Sequence, residues 1–186
     1  MKGNSAVKLF FFLLVISSTL IYAYTVRRRF VNLENYKPTP ILKEIPQIRY
    51  PDLLNDKTVK LASDNNLGKR KVVHFWGTWC GPCETELPSF ISFAKKFEKE
   101  GIQFFLVAVN DEKAKVKKFL KRFKVLPKNL KISLDNSGRL MESFGVVKVP
   151  ETFVFNGKGK TLKKFSGPQE WKFPYYSDFL EKEFHN

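Results

Sequence analysis

The sequence predicts an α/β fold in which a central mixed sheet is flanked by helices, with a single apolar helix at the amino terminus. Three observations support this class. Apolar runs alternate with stretches of helical spacing, which favours a parallel pair of strands. Two short apolar runs flank a glycine-containing turn at residues 156–159, which predicts an antiparallel hairpin. One uncharged stretch near the start is long enough to span a bilayer.

The amino-terminal stretch is expected to be a membrane anchor. Lys2 and Lys8 precede eighteen uncharged, mostly apolar residues at 9–26, which as a helix would span about 27 Å. Small residues near Ala23 do not form an A-x-A cleavage pattern, and the run is longer than the apolar core of an ordinary signal peptide. These features favour an uncleaved anchor. A lipoprotein anchor is not expected, because the segment has no cysteine at its end. The arginines at 27–29 nearly balance the charge of the first flank, so the positive-inside rule does not set the orientation.

The segment after the anchor is predicted to be an extended tether. Residues 30–46 contain Pro38, Pro40 and Pro46 and show no strong periodicity. The expected organisation is therefore an anchor with basic flanks at 1–29, a tether at 30–46 and one folded domain at 47–186.

The chain is strongly basic, with a net charge of +15. Its densest basic part is a predicted helix at 112–124, where four apolar residues form one stripe and lysines fill the other face. Such a face is either simply solvated or attracts anionic lipid headgroups or an acidic partner. Nucleic-acid binding is not expected, because no recognition motif accompanies the charge.

Cys80 and Cys83 are the only cysteines, and they stand where a predicted strand at 71–76 gives way to a predicted helix. At a helix start the unpaired backbone N–H groups and the helix dipole favour a thiolate, so Cys80 is the expected nucleophile. Cys83, one helical turn later, is the expected resolving thiol. Pro82 costs little there, because the first turn does not need its missing N–H.

Three other interpretations of the pair are weaker. A structural disulfide closing so short a loop would constrain the unfolded chain by only about 2 kcal/mol. A zinc site needs four ligands, and only His74 and His185 could add to the cysteines. Two inert core thiols would not need the surrounding tryptophans and Gly-Pro. Redox chemistry without metal, nucleotide or flavin is therefore predicted, with the Cys80–Cys83 disulfide as the redox group.

The rest of the domain is predicted in chain order. A hairpin extension is expected at 47–54 and 58–61, and a buried strand at 102–110 precedes the basic helix. A short strand at 130–134, a short helix at 137–144, a hairpin at 152–155 and 160–165, and a closing helix at 174–184 follow.

Two motifs resemble those of the TlpA/ResA/CcmG group of membrane-anchored thiol-disulfide oxidoreductases. These are Phe-Trp-Gly-Thr-Trp-Cys-Gly-Pro-Cys at 75–83 with Glu-Leu-Pro at 86–88, and Val-Pro-Glu-Thr-Phe at 149–153. The segment at 167–171 is also similar, and the resemblance covers roughly residues 45–186. It implies a thioredoxin-like fold.

The resemblance also implies roles for single residues. Pro150 is expected to be cis and to lie beside the cysteines, leaving the backbone of Val149 free to bind a substrate strand. Trp79 is expected to shield the Cys80 sulfur. Glu86 matches a glutamate linked to proton handling, the alternative being a solvated first-turn glutamate.

His74 departs from the pattern of that group. It stands where thioredoxins carry a buried aspartate, so it could relay a proton or simply hydrogen-bond within the core. The departure means that thioredoxin's proton mechanism does not transfer directly.

The function that the resemblance implies is disulfide reduction at a bacterial inner membrane, with the domain facing the periplasm or cell exterior. Thioredoxin, a reductant of about −270 mV, carries the same Gly-Pro between its cysteines. Electrons would come from a transmembrane carrier of the DsbD/CcdA kind, and apocytochrome c is one expected substrate. A general reductase of exported proteins, a copper-site assembly factor, a thiol peroxidase and a non-catalytic anchored binding module are the alternatives.

Overall fold

The computed structural model describes residues 3–34, 42–53, 58–61 and 68–185. It divides into two units, residues 1–39 and residues 40–186. Among the described residues, the first unit contains one helix and the second contains the strands.

The first unit is the helix α1, Gly3–Glu34. Its segment Val7–Thr25 is long and apolar enough to cross a membrane, judged by length and composition, a test that a signal sequence also passes. The helix continues five residues beyond the predicted end of the anchor at residue 29. The next part of the predicted tether, residues 35–41, lies outside the described residues.

The last part of the predicted tether packs against the second unit. The N–H of Ile45 donates to the carbonyl of Gly159 at 2.8 Å, and Glu44 forms a β-bridge with Lys160. The Ile45 side chain is buried in the core. The folded unit therefore includes residues just before 47, because these side chains cover the turn between the last two strands.

The predicted hairpin extension is present. The strands β1, Arg49–Pro51, and β2, Thr58–Lys60, pair antiparallel. Its predicted turn at 55–57 lies outside the described residues. Tyr50 packs edge-on against Phe105, with ring centroids 6.0 Å apart, so the hairpin covers one face of the main sheet.

The main sheet has five strands: β3 (Lys71–Trp76), β4 (Gln103–Val109), β5 (Leu130–Asp135), β6 (Glu151–Phe155) and β7 (Thr161–Ser166). Their order in the sheet is β5-β4-β3-β6-β7. Parallel pairs join β3 to β4 and β4 to β5, whereas β6 and β7 are antiparallel to their neighbours. This confirms the predicted mixed sheet.

Four helices flank the sheet: α2, Gly81–Lys96, α3, Lys113–Leu120, α4, Arg139–Phe144, and α5, Pro174–His185. One further turn of 3-10 helix spans Glu98–Glu100.

The basic helix is shorter than the predicted range of 112–124. It ends at Leu120 because the N–H groups of Arg122 and Phe123 bond three residues back, to Phe119 and Leu120, and tighten the chain into turns. Phe123 still packs on Phe119, with ring centroids 5.9 Å apart. The predicted apolar stripe therefore exists, but its last member lies beyond the helix.

Every residue of β3 is buried, and successive side chains alternate between two apolar clusters. Val72 and Trp76 join the cluster that includes residues of α2, α3 and α5, whereas Val73 and Phe75 join the cluster on the opposite face. The same alternation directs His74 toward α2. A titratable group thus lies inside the layer that carries the two cysteines.

Candidate active site

Cys80 and Cys83 form a disulfide at the start of α2, with their Cα atoms 5.2 Å apart. Cys80 is the N-cap residue, and the N–H of Cys83 donates to its Sγ at 3.3 Å. Cys80 is 6% exposed and Cys83 is fully buried. Cys80 is therefore the more accessible of the two residues, and the helix start is oriented to favour a thiolate at Cys80.

The turn before Cys80 is hydrogen-bonded to the segment that follows β4. Asp111 accepts hydrogen bonds from the N–H of Thr78 at 2.5 Å and from its hydroxyl at 2.8 Å. The N–H of Asp111 donates in turn to the side-chain oxygen of Asn136 at 3.1 Å. Because Asp111 is itself nearly buried, it sets the position from which the chain enters Cys80.

Trp79 is anchored in the same way but remains 59% exposed. Its Nε1 donates to the carbonyl of Val109 at 3.0 Å. The ring lies so close to Gly77 that a Cβ there would come within 2.6 Å of Nε1. Trp79 thus presents a fixed apolar surface next to Cys80, whereas Trp76 is buried against Phe119.

The peptide bond between Val149 and Pro150 is cis, as the resemblance implied. Glu151 pairs with Phe75 in the register of β6 and β3. Pro150 and Val149 therefore lie at the end of the sheet where β3 leads into Cys80. Among the backbone hydrogen bonds of the described residues, none uses the N–H or carbonyl of Val149, which leaves both groups available to a partner strand.

Glu86 is buried in the second turn of α2, at 5% exposure. Its Oε2 accepts the N–H of Gln169 at 2.7 Å, and its Oε1 accepts the indole N–H of Trp171 at 3.4 Å. Burial raises the pKa of Glu86 to about 7, although both hydrogen bonds act in the opposite direction. The solvated first-turn glutamate considered from the sequence is therefore not what the structure contains.

His74 is fully buried and faces that carboxyl group. Its Nε2 lies 3.3 Å from Oε1 of Glu86, and its Nδ1 lies 2.8 Å from the hydroxyl oxygen of Thr152. The ring stacks on Phe90, with centroids 4.4 Å apart. Burial lowers the pKa of His74 to about 3.

His74 and Glu86 are two buried titratable groups in direct contact. Nε2 and Oε1 are close enough to share a proton, although their alignment is not that of a hydrogen bond. With the pKa of His74 near 3 and that of Glu86 near 7, the pair holds one proton across the range between them. Glu86 follows Cys83 by three residues on the same helix face. A carboxyl group whose pKa lies near neutrality thus stands one helical turn from Cys83.

Several residues of this site were not assigned a role from the sequence: Asp111, Thr152, Gln169 and Trp171. Gln169 and Trp171 lie in the segment 167–171, which is similar to that of the TlpA/ResA/CcmG group, but the similarity assigned no role to either residue. No local pattern shows that this segment folds back onto α2. Among the described residues, no group of three or more His, Cys, Asp or Glu side chains is placed to hold a metal ion.

Comparison with known proteins gives consistent results. Residues 42–180 match the model of the Redoxin family. Thiol-disulfide oxidoreductase ResA of Bacillus cereus is 27% identical over 91% of this chain and 92% of its own. Sporulation thiol-disulfide oxidoreductase A of Bacillus subtilis is 35% identical over 55% of this chain and 62% of its own. An exposed lipoprotein thioredoxin of Streptococcus pneumoniae superposes with a TM-score of 0.60 and 25% identity, over 74% of this chain and 99% of that one.

Proposed function

This chain belongs to the Redoxin family and is a thiol-disulfide oxidoreductase, and on that premise we propose that it reduces disulfides of exported proteins. The observation that carries the proposal is the inequality of the two sulfur atoms. Cys80 retains exposure at a helix start, and Cys83 is fully buried behind it.

The proposed reaction has two exchange steps. The Cys80 thiolate attacks one sulfur of the partner's disulfide, forming a mixed disulfide and releasing the other partner sulfur as a thiolate. Cys83 then loses its proton and attacks Cys80 Sγ, which forms the Cys80–Cys83 disulfide and releases the second partner thiolate. The partner gains two electrons and, when both thiolates are protonated, two protons. This chain loses the same two electrons.

The buried pair is the proposed acceptor for the proton of Cys83. Cys83 must give up its proton before it can attack Cys80. Water has little access to the Cys83 sulfur, because this residue is fully buried. Glu86 is nearby on the same helix and is poised near neutrality by burial. His74 Nε2 lies 3.3 Å from Oε1 of Glu86, so we assign His74 as a positioning residue for that carboxyl group.

The proposed docking site for the partner is the surface around Cys80. Val149 offers unused backbone groups next to the cis Pro150, which suits an extended strand of the partner. Trp79 adds a fixed apolar surface at its side.

Reduction, rather than oxidation, is proposed because Gly81 and Pro82 form the same dipeptide as in thioredoxin, a reductant of about −270 mV. We place the domain outside the cell membrane, held by the segment Val7–Thr25. A reductase in an oxidising compartment needs electrons from within, which a transmembrane carrier of the DsbD/CcdA kind would supply. Apocytochrome c is the proposed substrate, since its haem-binding cysteines must be reduced before ligation.

Replacing Cys83 with alanine in the full chain tests the proposal. The mixed disulfide can then form through Cys80 but cannot be resolved, so partners should accumulate as covalent adducts that mass spectrometry identifies. The matched control is the Cys80→Ala, Cys83→Ala double variant, which should trap nothing.

The identity of the adducts decides the substrate. Adducts with exported proteins, including a cytochrome c precursor, would support the proposal. Adducts with cytosolic proteins alone, or peroxide consumption by the parent protein without a thiol partner, would overturn it.

A further inference from the structure

The end of the sheet opposite the disulfide carries a large basic groove. Its lining includes Lys69, Lys95, Lys96, Lys99 and Lys128, together with Gln103 at the start of β4. All five lysines are exposed. Because β4 runs from this groove toward the turn that holds Cys80, the groove and the disulfide lie at opposite ends of the sheet.

The basic surface continues from the groove to the turn between β6 and β7. The N–H of Gly68 donates to the carbonyl of Gly157 at 3.0 Å, which sets Lys69 beside that turn. The N–H of Thr161 donates to the carbonyl of Lys43 at 2.9 Å. We call the whole surface the basic end face: Lys43, Lys69, Lys95, Lys96, Lys99, Lys128, Lys158 and Lys160.

Positive charge dominates this end of the domain. Among the described residues, the acidic side chains that we find there are Glu44, Glu98, Glu100 and Glu181, and Glu181 pairs with Lys96 at 3.0 Å. Arg70 adds a further positive charge and is attracted to Glu100. Nine basic residues at this end thus outnumber four acidic ones, and a surface with this imbalance attracts anions.

The dipole of α2 explains the position of only some of these lysines. Lys95 and Lys96 are in the last turn of that helix, where positive charge is stabilising. Lys69, Lys128 and Lys158 belong to other segments and gain nothing from that helix end. Their convergence needs another cause.

The chain enters the folded unit at the same end. Residues 26–41 connect the candidate span Val7–Thr25 to Leu42, and α1 continues through residue 34. Only sixteen residues of sequence thus separate the candidate span from the folded unit. The end of the folded unit that carries these lysines is therefore the end through which the chain joins the candidate span.

We propose that the basic end face docks onto the anionic lipid headgroups of the membrane that holds the chain. Lysines near such a surface are attracted by its negative potential, within a Debye length. Docking by this end turns the opposite end, with Cys80 and Trp79, away from the lipid. The inference adds an orientation to the proposed anchoring and does not depend on the direction of electron flow.

Lysine labelling of the full chain in lipid nanodiscs tests the proposal. A limiting amount of an N-hydroxysuccinimide acetate reagent is added to nanodiscs of phosphatidylcholine alone or with one third phosphatidylglycerol. We expect Lys95, Lys99 and Lys128 to react at least threefold more slowly in the anionic nanodiscs. The protection should disappear in 0.5 M NaCl, because salt screens the attraction.

Internal controls come from α3, whose end lies near the first turn of α2, since Arg122 is 3.8 Å from Glu84. Lys117 and Lys118 on α3 are exposed and should label equally in both lipids. A Lys95→Glu, Lys99→Glu, Lys128→Glu variant should lose the lipid-dependent protection of Lys69, whereas Lys117→Glu, Lys118→Glu, Lys121→Glu should keep it.

Three results would overturn the proposal: equal labelling of the basic end face in both lipids, protection of α3 instead, or protection only when a second protein is added. The last would indicate an acidic protein partner. Co-elution of the chain with nanodiscs reports on the anchor separately, so the two proposals can fail independently.

Discussion

Replacing Cys80 with serine is expected to reduce the rate of disulfide exchange at least about a thousandfold, because a serine hydroxyl is not ionised near neutrality and cannot form a disulfide. Replacing Cys83 with serine should leave the first attack intact and abolish turnover. The measurement is the reduction of a model protein disulfide under single-turnover and multiple-turnover conditions. Under single-turnover conditions, Cys83→Ser should attack the disulfide and Cys80→Ser should not. Under multiple-turnover conditions, both variants should be inactive.

A neighbouring substitution serves as the control. Thr85 is exposed on α2, two residues after Cys83, and its hydroxyl donates to the carbonyl of Gly81. Thr85→Ala should retain the parent rate within about twofold, since a surface change of this kind costs little. A Cys80→Ser protein that keeps a tenth of the parent's single-turnover rate would show that another group attacks the partner.

The second large effect concerns the pH dependence of the free energy of unfolding. The folded His74–Glu86 pair holds one proton between pH of about 3 and about 7. The unfolded chain, with ordinary values of 6.5 for histidine and 4.5 for glutamate, also holds one proton between those two values. Because both states bind the same number, this pair contributes no slope between pH of about 4.5 and about 6.5.

When one of the two groups is replaced, the free energy of unfolding should change with pH according to the pKa of the group that remains. In Glu86→Gln, the lowered pKa of His74 contributes stability above pH of about 6.5 that is lost as the pH falls toward 3. In His74→Asn, the raised pKa of Glu86 contributes stability below pH of about 4.5 that is lost as the pH rises through 7. The slopes are opposite and at most about 1.4 kcal/mol per pH unit.

Denaturant unfolding at half-unit pH steps measures these slopes for the oxidised proteins. Glu84→Gln is the matched control, because Glu84 stands on the same helix but its side chain is 36% exposed. Its curve should run parallel to that of the parent. If the curves of Glu86→Gln and His74→Asn also run parallel to that of the parent, the pKa values of the two buried groups are not shifted as described.

The elements around the disulfide could be predicted because their signals are local. The apolar run at 71–76, Cys80 at the junction and the helical spacing after Cys83 are readable within about twenty residues. The cis peptide at Pro150 was implied only by resemblance, since most proline bonds are trans. The length of α3 was overestimated because an apolar stripe does not report where the helical hydrogen bonds end.

The environment of Glu86 could not be predicted, because it depends on contacts that join distant parts of the chain. Trp171 reaches it from 85 residues away, and the partner of His74, Thr152, is set by the register of β3 against β6. From the sequence alone, the same glutamate fits an exposed first turn equally well. Only the fold distinguishes a solvated carboxylate from one whose pKa burial raises.

Alkylation of the reduced full-length protein tests the central claim most directly, because it measures each thiol separately. A limiting amount of iodoacetamide at pH 7, followed by mass spectrometry of the two sites, gives their relative rates. We expect Cys80 to react at least about ten times faster than Cys83, since it is the more exposed of the two residues and caps the helix start. Equal rates, or faster modification of Cys83, would contradict the assignment of Cys80 as the nucleophile.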